Sequence, residues 1–205
     1  VHAIEFAGDL LYAGGRFTDA DGIDDADYLA VWDGTSWSAV GGVAPDGAVM
    51  AIAASGSEVY VGGEFTEIGG NNDLSHIARW NGTSWSDLDS GLNGDVASIA
   101  IDGTDVYIGG DFSNAGGISI ASRLALFDGS SWAAVNSAPS HTVEAILVDG
   151  SKLYIGGEFF NFGPDNNISK LAIWDGSIWS KFGNGLNGSV NTCLLYTSDA
   201  ADEVL

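Results

Sequence analysis

The chain of 205 residues has one cysteine, three prolines, one methionine and only six lysine or arginine residues. A single cysteine excludes a disulfide framework. Six bases stand against 28 acids, a formal charge of −22. A surface of that sign repels phosphate, so nucleic acid is not expected as a partner. No apolar run approaches the roughly 20 residues that span a bilayer as a helix, so no membrane insertion is expected. Helical periodicity is missing as well: no segment repeats its apolar residues every 3.6 positions over a useful length. What is present in quantity is glycine, at 30 residues, and tryptophan, at 7. With 45% hydrophobic and 11% aromatic residues, the chain is too apolar for a disordered acidic tail.

The glycines and tryptophans are periodic. The string Tyr-x-Gly-Gly-x-Phe begins at Tyr12, Tyr60, Tyr107 and Tyr154, in steps of 48, 47 and 47 residues. Twenty residues after each tyrosine stands an aromatic: Trp32, Trp80, Phe127 and Trp174. Each is followed by Asp-Gly or Asn-Gly, and a second tryptophan comes five residues after the first aromatic, at Trp37, Trp85, Trp132 and Trp179. Four units result, 1–48, 49–95, 96–142 and 143–189, and residues 190–192 start a fifth. Repeats of this length mark stacked or radial architectures.

Each unit reads as four short strands. A small-and-branched run such as Val96 to Ile101 comes first, then a glycine turn, then the tyrosine strand. An apolar third strand, such as Leu171 to Trp174, leads through the Asp-Gly pair into the tryptophan strand. That dipeptide supplies the positive φ of a tight hairpin. The expected fold class is all-β, a β-propeller fragment of four four-stranded blades in an open arc or partial ring. Aromatics such as Tyr60, Phe65, Trp80 and Trp85 would fill the wedge between blades. Paired glycines weaken a strand, so they call for a bulge or the close approach of another backbone. Ala30, Ala78, Ala125 and Ala172 suggest a second tight contact. An open arc exposes apolar blade faces at both ends and should aggregate when expressed alone.

This pattern resembles bacterial secreted β-propeller repeat proteins with GGxF…RW[DN]GxxW repeats. It is similar to the cortical cell-polarity marker family and, more distantly, to kelch and galactose-oxidase central-domain propellers. In kelch repeats the tyrosine follows the glycine pair, whereas here it precedes it. The resemblance covers residues 1–189. It implies a ring of about six to eight blades facing the cell exterior, with interaction rather than catalysis as its role.

Residues shared by all units are structural in the simplest reading, so function is sought in the loops. The longest lies between second and third strands, and in the first unit it places Asp19, Asp21, Asp24, Asp25 and Asp27 within nine residues. The second unit offers Asn71, Asn72 and Asp73, and the fourth Asn161, Asp165, Asn166 and Asn167. Oxygen-rich loops suit Ca²⁺, yet the spacing does not match an EF-hand loop. We therefore expect solvated acidic loops and no cofactor, with Ca²⁺ as the one ion such loops would suit. The position after the glycine pair carries Arg16, Glu64, Asp111 and Glu158. Its three carboxylates would form an arc able to meet a cation, although acceptance of backbone hydrogen bonds is the expected role.

Catalytic sets are not indicated. His2, His76 and His141 occupy three different repeat positions, so no stacked metal-ligand set arises. Asp33-Gly34-Thr35-Ser36-Trp37 is close to a sialidase aspartate box, but the arginine cluster of that chemistry is lacking. No Ser-His-Asp set or cysteine nucleophile is evident. Carboxylates for glycoside hydrolysis abound, and nothing singles out a pair.

Residues Cys193 to Glu203 read CLLYTSDAADE, which matches a one-frame translation of a transposon-type sequencing adapter. Segment 193–205 is therefore read as non-native, in a fragment of metagenomic type whose native protein was longer. Without the tail's three acids the charge is −19. Long-read sequencing through the locus tests this, and a genomically encoded tail would refute it. The expected function is a non-catalytic module, extracellular or at the cell surface, that binds a protein or surface polysaccharide or serves as scaffold. The competing expectation is the propeller part of a larger secreted enzyme, carbohydrate-active or oxidase-like, with catalytic residues outside this segment.

Overall fold

The computed structural model describes residues 1–163 and 167–193. Asp165, Asn166 and the tail from residue 194 onward lie outside the described residues. Four antiparallel sheets follow one another along the chain, each with its strands in sequence order. The first contains β1 (Ala3–Ala7), β2 (Leu10–Gly14), β3 (Leu29–Trp32) and β4 (Trp37–Ala39). The second contains β5 (Val49–Ser55), β6 (Glu58–Gly63), β7 (Ile77–Trp80) and β8 (Trp85–Ser86). The third contains β9 (Asp95–Asp102), β10 (Asp105–Asp111), β11 (Leu124–Phe127) and β12 (Trp132–Ala134). The fourth contains β13 (Val143–Asp149), β14 (Lys152–Gly157), β15 (Leu171–Trp174) and β16 (Trp179–Lys181). These are four propeller blades. Their first strands pack in order, β1 on β5, β5 on β9 and β9 on β13, and the blades form an arc that does not close.

The two glycines of each pair have different jobs. The first, at Gly14, Gly62, Gly109 and Gly156, faces the next blade. A Cβ there would stand under 3.0 Å from the side chain of Val49, Val96, Val143 or Val190 respectively. The second, at Gly63, Gly110 and Gly157, faces its own first strand, where a Cβ would run into the carbonyl oxygen of Ala48, Asp95 or Thr142. That carbonyl precedes a β-bulge. Val49 pairs with Gly63 and Ala51 with Gly62, which leaves Met50 as the extra residue. The same shift leaves out Ala97 in β9 and Glu144 in β13. Both explanations of the glycine pair therefore hold, one for each residue.

The alanine column Ala30, Ala78, Ala125 and Ala172 has no solvent exposure at all. Each blade also carries an aromatic pair directly across its last two strands, at 5.2 to 5.5 Å between centroids for Trp32–Trp37, Trp80–Trp85, Phe127–Trp132 and Trp174–Trp179. Such cross-strand pairs add about 0.5–1.5 kcal/mol beyond the area they bury. The tryptophans also reach backwards. The indole N–H of Trp85 donates to the Val40 carbonyl at 3.2 Å, that of Trp132 to Leu88 at 2.7 Å and that of Trp179 to Val135 at 3.4 Å. Blades two to four are thus each fastened to the loop that ends the previous one.

The Asp-Gly connection differs from the tight hairpin expected of that dipeptide. Trp32 pairs with Trp37, so the loop holds four residues, and only its glycine has positive φ, 95° at Gly34. The Asp33 carboxylate closes the loop by accepting from the Thr35 and Ser36 amides and the Thr35 hydroxyl. The Thr35 hydroxyl, the two amides and the Ser36 hydroxyl hold its carboxyl down at about 2, and Asp128 in the third blade is held down to about 2 in the same way. The side chain supplies the turn geometry that a second positive φ would otherwise provide.

Candidate functional site

The antiparallel order of each blade puts the loop after its second strand on the same end as the loop that links it to the next blade. Both loops are tied together at that end. Asp46 accepts from the Thr66 and Glu67 amides, Asn93 accepts from the Ser113 and Asn114 amides, and the Phe160 amide donates to Ser140. The first strands start at this end, and the bulges lie at their starts. A bulge re-aims its extra side chain. Here the bulge column Met50, Ala97 and Glu144, together with His2 at the matching place in the first blade, lines a cavity of about 350 Å³ between the blades. Its wall also includes Ala51, Ser98 and Ala145 and residues Asn191, Thr192 and Cys193.

Two members of the carboxylate column lie near enough to Glu144 to act on its charge. Arg16 donates to Glu64 across the first two blades. Asp111 and Glu158 face Glu144: burial pushes the Glu144 carboxyl above its usual range, and the charges of Glu158 and Asp111 add to the push. Among the described residues, the side chains of Glu64, Asp111 and Glu158 accept no backbone N–H. The backbone amides of Glu64 and Glu158 do bond the carbonyls of Ala48 and Thr142, so the column is positioned by its main chain.

A further column escaped sequence reasoning. Tyr28, His76, Arg123 and Lys170 sit at one repeat position, just before the third strand, and all have positive φ, between 60° and 69°. Such a conformation is uncommon for large side chains. The tertiary structure enforces it: each residue's amide bonds the carbonyl of Phe17, Phe65, Phe112 or Phe159, and each residue's carbonyl accepts from the second glycine of the pair. One backbone therefore presents four different polar side chains. The His76 Nδ1 lies 3.4 Å from an Asp95 carboxylate oxygen, and the Lys170 ammonium bonds the Glu158 carbonyl at 2.8 Å. The bulge column did leave a trace in the sequence, as the one variable residue in Val-x-Ala/Ser-Ile.

The loop acids of the first unit do not converge. Asp19, Asp21, Asp24 and Asp25 are exposed, Asp27 is half-buried, and the Asp27 carboxylate accepts from the Asp19 amide at 2.6 Å. Ala20–Gly22 forms a single helical turn between them, with Asp19 and Asp21 both at positive φ. Among the described residues, no three His, Cys, Asp or Glu side chains come together to hold a metal ion. His2 lines the cavity while His76 sits in the left-handed column and His141 stacks on Phe160 at 4.7 Å.

No family model matches the chain, and no curated protein matches it. Solved structures do. The crystal structure of the computationally designed Ika8 protein superposes with a TM-score of 0.60 at 14% identity, over 95% of this chain and 52% of that one. The chain folds as a propeller arc. YCF48 bound to a D1 peptide aligns at a TM-score of 0.47 and 15% identity, over 86% of this chain and 51% of that one. The chain therefore spans about half the length of each of these solved structures. The likeness to Ika8 shows the fold alone, so the chemistry rests on the two columns. The cavity is lined by the bulge column, whose side chain differs from blade to blade and is acidic at Glu144.

Proposed function

We propose that the chain is a non-catalytic binding module whose cavity takes a basic segment of a partner protein. The observation that carries this reading is Glu144, which lines a cavity of about 350 Å³ and whose carboxyl is raised by burial and by the nearby charges of Glu158 and Asp111. A lysine or arginine side chain entering there relieves that repulsion, and the surplus of acids over the chain steers basic partners toward it. We place the module outside the cell or on its surface, a role supported by its acid surplus. The bulge column carries the specificity of this reading, since it varies on a fixed backbone.

Fluorescence anisotropy with labelled lysine- and arginine-rich peptides, against acidic peptides of equal length, tests the proposal. Basic peptides should bind and weaken steeply with salt, and Glu144→Gln with Asp111→Asn should lower the affinity about tenfold or more. Equal binding of acidic and basic peptides, or unchanged affinity in the double variant, would refute it.

A further inference from the structure

Neighbouring blades also meet in clefts at the end away from the Glu144 cavity, where the turns between first and second strands and between third and fourth strands gather. Each cleft sets a tyrosine of one blade against the aromatic that ends the third strand of the next: Tyr12 with Trp80, Tyr60 with Phe127 and Tyr107 with Trp174. In the first cleft, burial pushes the Tyr12 phenol up and a hydrogen bond with the Trp80 side chain partly offsets the push. In the third, Tyr107 and Trp174 line a cavity of only about 60 Å³. The second cleft differs. Phe127 is the one phenylalanine in a column of tryptophans, so half of the indole and its N–H are both missing. The cavity there measures about 280 Å³, close to twice the roughly 150 Å³ that accepts a benzene ring.

The same cleft holds an arginine. Of the four residues that precede the third-strand aromatic, Val31, Leu126 and Ile173 are aliphatic and Arg79 is not. Arg79 pairs directly across the sheet with Tyr60 and lines the cavity with it. Its Nε donates to the Ser86 hydroxyl at 3.1 Å and lies 3.3 Å from the Glu58 carboxylate. Among the described residues, its terminal nitrogens and the Tyr60 hydroxyl bond no protein group, and the Glu58 Oε2 is buried without a hydrogen bond. A guanidinium held by its Nε keeps the terminal N–H donors free in a fixed plane. From the third blade come the Thr104 hydroxyl and the apolar side chains of Ile101 and Val106.

Such a set of groups is selective. Donors on Arg79, an acceptor on Glu58 and hydroxyls that do both suit a ring whose edge carries several hydroxyls, while the apolar wall suits its C–H face. An anion is disfavoured, because Glu58 already meets the charge of Arg79 and the turn at Gly103 and Thr104 lies between Asp102 and Asp105. A cation meets the guanidinium itself. We propose that the cleft between the second and third blades binds a neutral monosaccharide unit, at a site separate from the Glu144 cavity. Arg79 donates to neighbouring hydroxyls of the sugar, Glu58 accepts from one of them, and the ring takes the space that an indole would fill.

Saturation-transfer NMR on the full chain, with the methyl glycosides of glucose, galactose, mannose and N-acetylglucosamine and with glucuronate as the anionic control, reads the outcome. At least one neutral glycoside should receive saturation, and glucuronate should receive less. Arg79→Leu and Phe127→Trp each install the residue that a sister blade carries at that place, so circular dichroism should show the blades intact. Each variant should weaken sugar binding about tenfold or more, the first by removing the donors and the second by refilling the cleft. No transfer to any neutral glycoside would overturn the proposal, as would stronger transfer to glucuronate or binding that survives either variant. Basic-peptide binding at the Glu144 cavity is read in its own assay, so the failure of one assignment leaves the other standing.

Discussion

Gly62 is the position at which the packing of blade on blade is most directly testable. Alanine there puts a methyl group under 3.0 Å from two carbons of Val96, a residue 1% exposed in the next blade. Val96 belongs to a strand, so it cannot swing clear without moving β9. Overpacking of this kind costs about 1–3 kcal/mol, offset by about 0.5–1 kcal/mol for removing glycine from a strand. Val96→Ala alone removes two buried methyl groups and leaves a void, a loss of about 2 kcal/mol. In the double variant the new methyl occupies space that Val96 has vacated. The two losses should then sum to at least about 1 kcal/mol less than their separate values. Urea denaturation followed by tryptophan fluorescence measures this. Strict additivity would refute the claim that Val96 is the reason for glycine at this position. Gly63→Ala supplies the contrast, because the obstacle there is the Ala48 carbonyl and no side-chain change relieves it.

Three further outcomes follow from the charged groups. At Asp46, burial pushes the carboxyl up, but the Thr66 hydroxyl and the Glu67 and Thr66 amides outweigh it and leave it below its usual value. Its stabilisation is present above the unfolded value and lost as pH falls through the lowered one, so Asp46→Asn should flatten the fall in stability below about pH 4. Glu144 has the opposite sign, being raised by burial and by Glu158 and Asp111: its charged form disfavours the fold, and Glu144→Gln should raise the melting temperature at pH 7 and leave it unchanged once pH lies below the unfolded value. An equal gain at both pH values would disprove that account. Because the acids Asp19 to Asp27 do not converge, about 1 mM Ca²⁺ should leave the melting temperature unaltered, and a calcium-dependent rise that Asp21→Asn with Asp25→Asn removes would contradict it.

The repeat, the strand order and the glycine pair were legible because each depends on residues close in sequence or recurring every 47 or 48 positions. The Asp-Gly turn was read with the right residues and the wrong loop length, since an aspartate side chain can close a four-residue loop that dipeptide statistics assign to two. Tyr28, His76, Arg123 and Lys170 gave no sign of their left-handed backbone. Nothing in those side chains asks for positive φ; the hydrogen bonds to the phenylalanine column and the glycine pair impose it. The acids after the glycine pair were visible as a column, and their company with Glu144 was not, since that depends on a bulge.

The tryptophan fastenings also set a direction for synthesis. The indoles of Trp85, Trp132 and Trp179 each bond the loop that immediately precedes their own blade, so the partner is already made when the tryptophan leaves the ribosome. The glycine of each blade is covered by the strand that emerges next. A nascent chain can therefore complete one blade at a time from its N-terminus, with contacts only to the neighbour just finished. Such growth leaves a single adhesive edge at any moment, and that edge advances with translation.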